Sequence, residues 1–77
     1  MRKIYEIANE IAMDWNNVYF GAKPYLEAMF ALSSPDDMYG MDDAKSVVIY
    51  FLSNAKTWRG ETARRVKQEL KDMFDLK

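Results

Sequence analysis

The sequence predicts an all-α fold, a compact bundle of about four helices with a short second helix, forming one domain over residues 1–77. Three observations predict it. Apolar residues recur at steps of three and four in successive segments, a spacing that lines them up on one side of a helix. Strict alternation of apolar and polar residues, the mark of a half-buried strand, is missing. Proline, glycine, serine and aspartate cluster between the periodic segments, where helices are expected to stop.

The first helix is expected over Arg2 to Asn16, with Ile4, Ile7, Ala8, Ile11 and Trp15 on one stripe and Glu6, Glu10 and Asp14 away from its centre. Asn16 and Asn17 weaken its end, because their short amides compete for nearby backbone groups. The second helix begins at Ala22 or Lys23, with Pro24 in the first turn, where the N–H it lacks has no intrahelical partner to lose. It runs to Leu32, with Leu26, Met29 and Phe30 inward and Tyr25 or Ala22 at the edge. Gly21 is read as a joint, with Val18, Tyr19 and Phe20 either covering the bundle's end or continuing a kinked helix. Ser33, Ser34 and Pro35 end this segment.

Pro35 to Gly40 reads as a loop, and Met41, Asp42 and Asp43 lead into the third helix, the aspartates suiting its positive end. Ala44, Val47, Val48, Phe51, Leu52 and Ala55 form its stripe. Val47 to Leu52 also has strand character, since Val, Ile, Tyr and Phe all suit sheets. Helix is preferred because the stripe spans twelve residues and no partner strand is evident. Thr57 is a candidate cap for a fourth helix reaching about Phe74, with Ala63, Val66, Leu70, Met73 and Phe74 facing one way and Arg64, Lys67 and Lys71 on an opposite or flanking face. Glu61 with Arg65, and Arg65 with Glu69, are spaced to pair along this helix. Asp75, Leu76 and Lys77 are expected to fray.

Composition narrows the chemistry. There is no cysteine, so no disulfide framework or thiolate site is available. There is no histidine either, which removes the commonest metal ligand and the side chain that ordinarily titrates near neutrality. No apolar run is long enough for a membrane span and the N-terminus has no signal-like core, so the chain reads as cytoplasmic, with no membrane partner. The formal charge of −1 hides a division. Asp14 to Lys45 holds six acids and two bases, a net of −4, whereas Lys56 to Lys71 holds six bases and two acids, a net of +4. The two segments orient the molecule toward a partner only if folding keeps them apart.

Catalytic and metal signatures are weak. Asp36, Asp37, Asp42 and Asp43 are carboxylates of the kind that bind calcium or magnesium, but their order does not match an EF-hand. They read as a solvated turn and helix-capping acids, with no metal. The isolated Gly21, Gly40 and Gly60 make no phosphate-cradling loop. No nucleophile or cofactor motif accompanies the carboxylates, so no enzyme activity and no cofactor are expected.

Trp58, Arg59 and Tyr50 carry the reading of a protein contact, as broad side chains that exclude water while keeping polar bonds. Trp58 is better suited to closing the bundle's end than to a surface contact, and Trp15 belongs to the first helix's stripe. The alternative is nucleic-acid binding, with Lys56, Arg59, Arg64, Lys67 and Lys71 on phosphates and Trp58 or Tyr50 stacking on a base. Met73 and Phe74 either finish the core or form a homodimer patch.

Four stretches, Asp14-Trp15-Asn16-Asn17, Gly21-Ala22-Lys23-Pro24-Tyr25-Leu26, Tyr39-Gly40-Met41-Asp42 and Asn54-Ala55-Lys56-Thr57-Trp58-Arg59-Gly60, resemble small uncharacterised helical proteins of Gram-positive prophages and integrative elements. The resemblance implies a mobile-element accessory protein that contacts a protein or a nucleic acid. It implies no catalytic mechanism and assigns no site residue.

Overall fold

A computed structural model describes residues 2–76. Helices α1 (Ile4–Asp14), α2 (Lys23–Phe30), α3 (Ala44–Ser53) and α4 (Glu61–Met73) are joined by a two-stranded antiparallel hairpin, β1 (Met38–Tyr39) and β2 (Asp42–Asp43), between α2 and α3. The chain is thus mostly helical rather than all-α. The hairpin replaces the loop and helix lead-in expected there. Tyr39 pairs with Asp42 across the two residues Gly40 and Met41, and Gly40 has φ +61°. A positive φ at the first of two turn residues is the pattern of a type II′ turn, whose twist suits a hairpin. Strands of two residues carry too little alternation for a periodicity argument to find them.

Each helix begins and ends for a local reason. The first N–H groups of α1 are taken by the carbonyls that follow α2, Ile4 donating to Ser33 and Tyr5 to Leu32, each at 2.9 Å. The Glu6 carboxylate closes the same end by accepting from the backbone N–H of Lys3 at 2.9 Å. Asp43 caps α3, its Oδ1 accepting from the Ser46 N–H at 2.8 Å. The cap of α4 is Gly60 rather than Thr57. Gly60 has φ +117° and ψ −178°, a backbone region essentially reserved for glycine. It lets the chain reverse after Trp58 has been placed inside. Gly21 serves packing instead: a Cβ there would lie 2.6 Å from Cε2 of Tyr19 and 2.9 Å from Oδ1 of Asn54.

The end of α4 is closed rather than frayed. Asp75 has φ +57°, its N–H bonds to Asp72, and the Leu76 N–H bonds to Lys71 at 2.7 Å. Those two bonds are the Schellman pattern, which turns the chain back over its last helical turn. Lys77 lies outside the described residues.

The core is built from the apolar stripes. Ile4, Ile7 and Ile11 of α1, Met29 and Leu32, Val48 and Phe51 of α3, and Val66 and Leu70 of α4 have no accessible surface. Phe30 departs from its expected inward place and is 45% exposed, while Ala22 is buried and Tyr25 half-buried. At one end of the core Trp15 and Trp58 stack with centroids 5.8 Å apart, and Phe51 meets both edge-on. Among the described residues every buried side chain is apolar.

On the opposite side of α4 from α3, four charges tie α1 to α4. Arg2 bonds Glu10 at 2.7 Å and Glu69 at 3.0 Å, and Arg65 bonds Glu10. Arg65 and Glu69 therefore reach across to α1 instead of pairing along their own helix. The neighbouring cations, Arg65 first and then Arg2, hold the Glu10 carboxyl below its ordinary pKa.

Candidate interaction surface

The residues singled out in the sequence separate by what they touch. Trp58 is 2% exposed, and its indole Nε1–H donates to Oδ2 of Asp14 at 2.9 Å. In this fold it offers no surface to a protein or a base. Its core role follows from geometry: the turn Ala55–Trp58, closed by a 3.1 Å bond from the Trp58 N–H to the Ala55 carbonyl, aims the ring at Trp15.

Lys67 is also turned inward. Its Nζ donates to the carbonyls of Ala55 and Trp58, both at 2.7 Å, and sits 5.8 Å from the centroid of the Trp58 ring. The ammonium ties α4 to the backbone that carries the tryptophan. Burial pushes the pKa of Lys67 down, and the charges of Lys71 and Arg59 push it further. Lys67 is thus already engaged, whereas Lys56, Arg59 and Arg64 are exposed. The only side-chain bond of Arg59 among the described residues is a long one, 3.5 Å to the Lys56 carbonyl. Lys71 is half-buried beside Ile49, Leu52, Ser53 and Leu76.

Tyr50 is 51% exposed and lies against Tyr25, with ring centroids 5.4 Å apart. It belongs to a larger group that the sequence reading left dispersed. Tyr19 packs on Phe20 at 4.8 Å, and Phe20 is 76% exposed, so the pair stands out from the bundle's end instead of covering it. The Tyr19 ring and the Asn54 amide crowd Gly21 from two sides, and Asn54 donates to the Tyr50 carbonyl at 2.9 Å. Two aromatic pairs, Phe20 with Tyr19 and Tyr25 with Tyr50, are thus linked through Asn54 into an interrupted ridge. The absence of a side chain at Gly21 is what brings the loop ring down to the end of α3. Periodicity gave no sign of this ridge, because two of its rings lie in the turn before α2.

The acidic residues between α2 and α3 are occupied locally. The Asp37 carboxylate accepts from the Ser33 N–H at 2.8 Å and from Ser34 at 3.1 Å, which holds its pKa low, and the Ser46 bonds do the same for Asp43. These acids gather at the N-terminal end of α3 and the bases Lys56 and Arg59 at its C-terminal end. Ten helical residues, about 15 Å, separate the two, whereas Asp14 of the acidic segment lies against Trp58 at the basic end, so folding preserves the charge division only in part. Among the described residues no three His, Cys, Asp or Glu side chains are grouped to hold a metal, and no helix is long and apolar enough to cross a membrane.

Comparison with protein-family models, with curated proteins and with solved structures found no match to this chain.

Proposed function

We propose that this chain is a non-enzymatic interaction protein that binds a protein partner through the aromatic ridge and the outer face of α3. The observation that carries this reading is the ridge itself: Tyr19, Phe20 and Tyr50 are exposed and Tyr25 half-buried, although nineteen apolar residues are buried among the described ones. Large rings left wet side by side are the residue type and arrangement that dominate binding energy at protein interfaces. Tyrosine suits the role because its ring excludes water while its hydroxyl keeps a polar bond.

Among the described residues no titratable side chain is buried. Nucleic-acid binding by Lys56, Arg59, Arg64, Lys67 and Lys71 has weaker support. Its proposed stacking ring, Trp58, is in the core, and Lys67 is bonded to two carbonyls. An accessory role in a mobile element, as the resemblance implies, is compatible with a module that works by contact alone.

The test is affinity capture from nuclease-treated extract of the producing cells, comparing the wild-type chain with Phe20→Ser and Tyr50→Ala. A specific protein held by the wild type should be lost about 30-fold or more with either substitution, the effect of a contact worth about 2 kcal/mol. Far-UV circular dichroism should be unchanged, since both rings are largely in water. Equal recovery on wild type and both variants would refute the ridge as the contact.

A further inference from the structure

An apolar groove lies between α3 and the end of α4, and Lys71 is the one cation among its lining residues. Residues Ala44 to Gly60 contain Lys45, Lys56 and Arg59 and no acid. Lys45 precedes Ile49 by four residues, so both lie on one flank of α3 with Leu52 one further turn along. Across from that flank, the Schellman closure of α4 returns Leu76 to the side of α3. Ile49, Leu52 and Ser53 of α3 with Lys71 and Leu76 of the α4 end enclose a shallow groove between the helices.

Helix α4 sorts its charges to match. Arg64, Lys67 and Lys71 lie at steps of three and four, on the flank turned to α3. Glu69 is on the other flank, bonded to Arg2 just before α1. Lys71 and Arg59 both lie near enough to Lys67 to oppose its charge, so the corner between α3 and α4 concentrates cations. The carboxylate next to Lys71 in sequence, Asp72, accepts from the Gln68 amide at 2.9 Å, and Asp75 is exposed at the turn.

We infer that the groove between α3 and the end of α4 receives an apolar side chain from an acidic segment of a partner protein, whose carboxylates meet Lys71 and the bases at the α3–α4 corner. This rests on the protein-partner reading and adds the partner's chemistry. An oily slot bordered by Lys71, with Lys67 and Arg59 at the adjoining corner, is complementary to apolar residues flanked by Asp and Glu. A nucleic acid would answer the charge but leave Ile49, Leu52 and Leu76 without apolar cover. A second copy of this chain would bring its own cationic rim against the first.

Selection of random 16-residue peptides displayed on phage against the full chain tests it. Enriched peptides are expected to carry Leu, Ile, Phe or Met flanked by Asp or Glu. Their binding should weaken about tenfold or more with Lys71→Glu, by a smaller factor with Lys71→Gln, and progressively with added salt. Amide shifts on titration should centre on Ile49, Leu52, Ser53 and Leu76. Circular dichroism and melting of both variants should match the wild type. Enrichment of neutral or basic peptides, binding indifferent to Lys71→Glu, or no enrichment overturns the inference. Shifts confined to Tyr19, Phe20, Tyr25 and Tyr50 overturn it while leaving the ridge as a protein contact. Salt-dependent binding of a 20-mer duplex or single strand with no peptide enriched overturns both readings, and a concentration-dependent dimer that shifts Ile49 and Leu76 replaces the acidic partner with a second copy.

Discussion

Replacing Trp58 with alanine should unfold much of what holds this chain together. The ring is 2% exposed, stacks on Trp15 at 5.8 Å, meets Phe51 at 6.5 Å and bonds Asp14 at 2.9 Å. Truncating a buried tryptophan to alanine costs about 3–5 kcal/mol. For a chain of 77 residues the whole stability is about 4–12 kcal/mol, so the variant loses a quarter of it at the least. Because 1 kcal/mol moves the midpoint of a small domain by about 4–8 °C, the melt should fall by at least about 12 °C.

Trp58→Phe separates the two contributions. Phenylalanine keeps a ring near Trp15 but donates nothing to Asp14, whose carboxylate is exposed enough for water to replace the bond. The lost hydrogen bond then costs about 0.5–1.5 kcal/mol, with a further loss for the smaller ring. Urea unfolding followed by circular dichroism at 222 nm measures both variants on one scale. A Trp58→Ala chain that melts with the wild type would refute the core placement and return the ring to the surface.

Two other perturbations follow from the same contacts. Lys67→Met keeps most of the stem but strips two 2.7 Å bonds from the Ala55 and Trp58 carbonyls, and should lower stability by about 1–3 kcal/mol in urea; an unchanged midpoint would show the ammonium to be free. Glu10, Asp37 and Asp43 all have folded pKa values below their ordinary ones, so the unfolded chain binds more protons as pH falls. Their contribution is complete above the ordinary carboxylate range, about pH 5, and drains as pH drops through the lowered folded values. With no histidine, urea midpoints should stay level from about pH 6 to 8, and a marked slope there would contradict the assignment.

Much of the helical architecture was legible because a buried stripe needs many residues to repeat one spacing. The isoleucines of α1 and the stripe Ala44, Val47, Val48 and Phe51 of α3 occupy the inward places that spacing assigns them. Features that depend on one or two dihedral angles were not legible. The hairpin turns on Gly40, the entry to α4 on Gly60 and the closure of its end on Asp75, each with a positive φ. Phe30 shows a limit of another kind. In an eight-residue helix both Leu26–Met29–Phe30 and Ala22–Leu26–Met29 satisfy helical spacing, and only the neighbouring helices decide which stripe is buried. The aromatic ridge was hidden because its members come from a loop and two helices, joined through the missing side chain of Gly21.

The charges of α4 show why a residue pattern alone does not assign a role. Arg64, Lys67 and Lys71 are one flank in the sequence, yet Arg64 is solvated, Lys67 is bonded to the backbone beneath Trp58, and Lys71 borders the groove against α3. Neutralising all three together would mix a folding defect with a binding defect and read as either. Taken singly, Lys67 reports on how the Trp58 turn is anchored, and Lys71 reports on what the groove accepts. The same division holds for the rings: Trp58 answers to stability and Tyr50 to contact, so a partner that discriminates Tyr50→Ala on an unaltered melt identifies a surface that the core does not require.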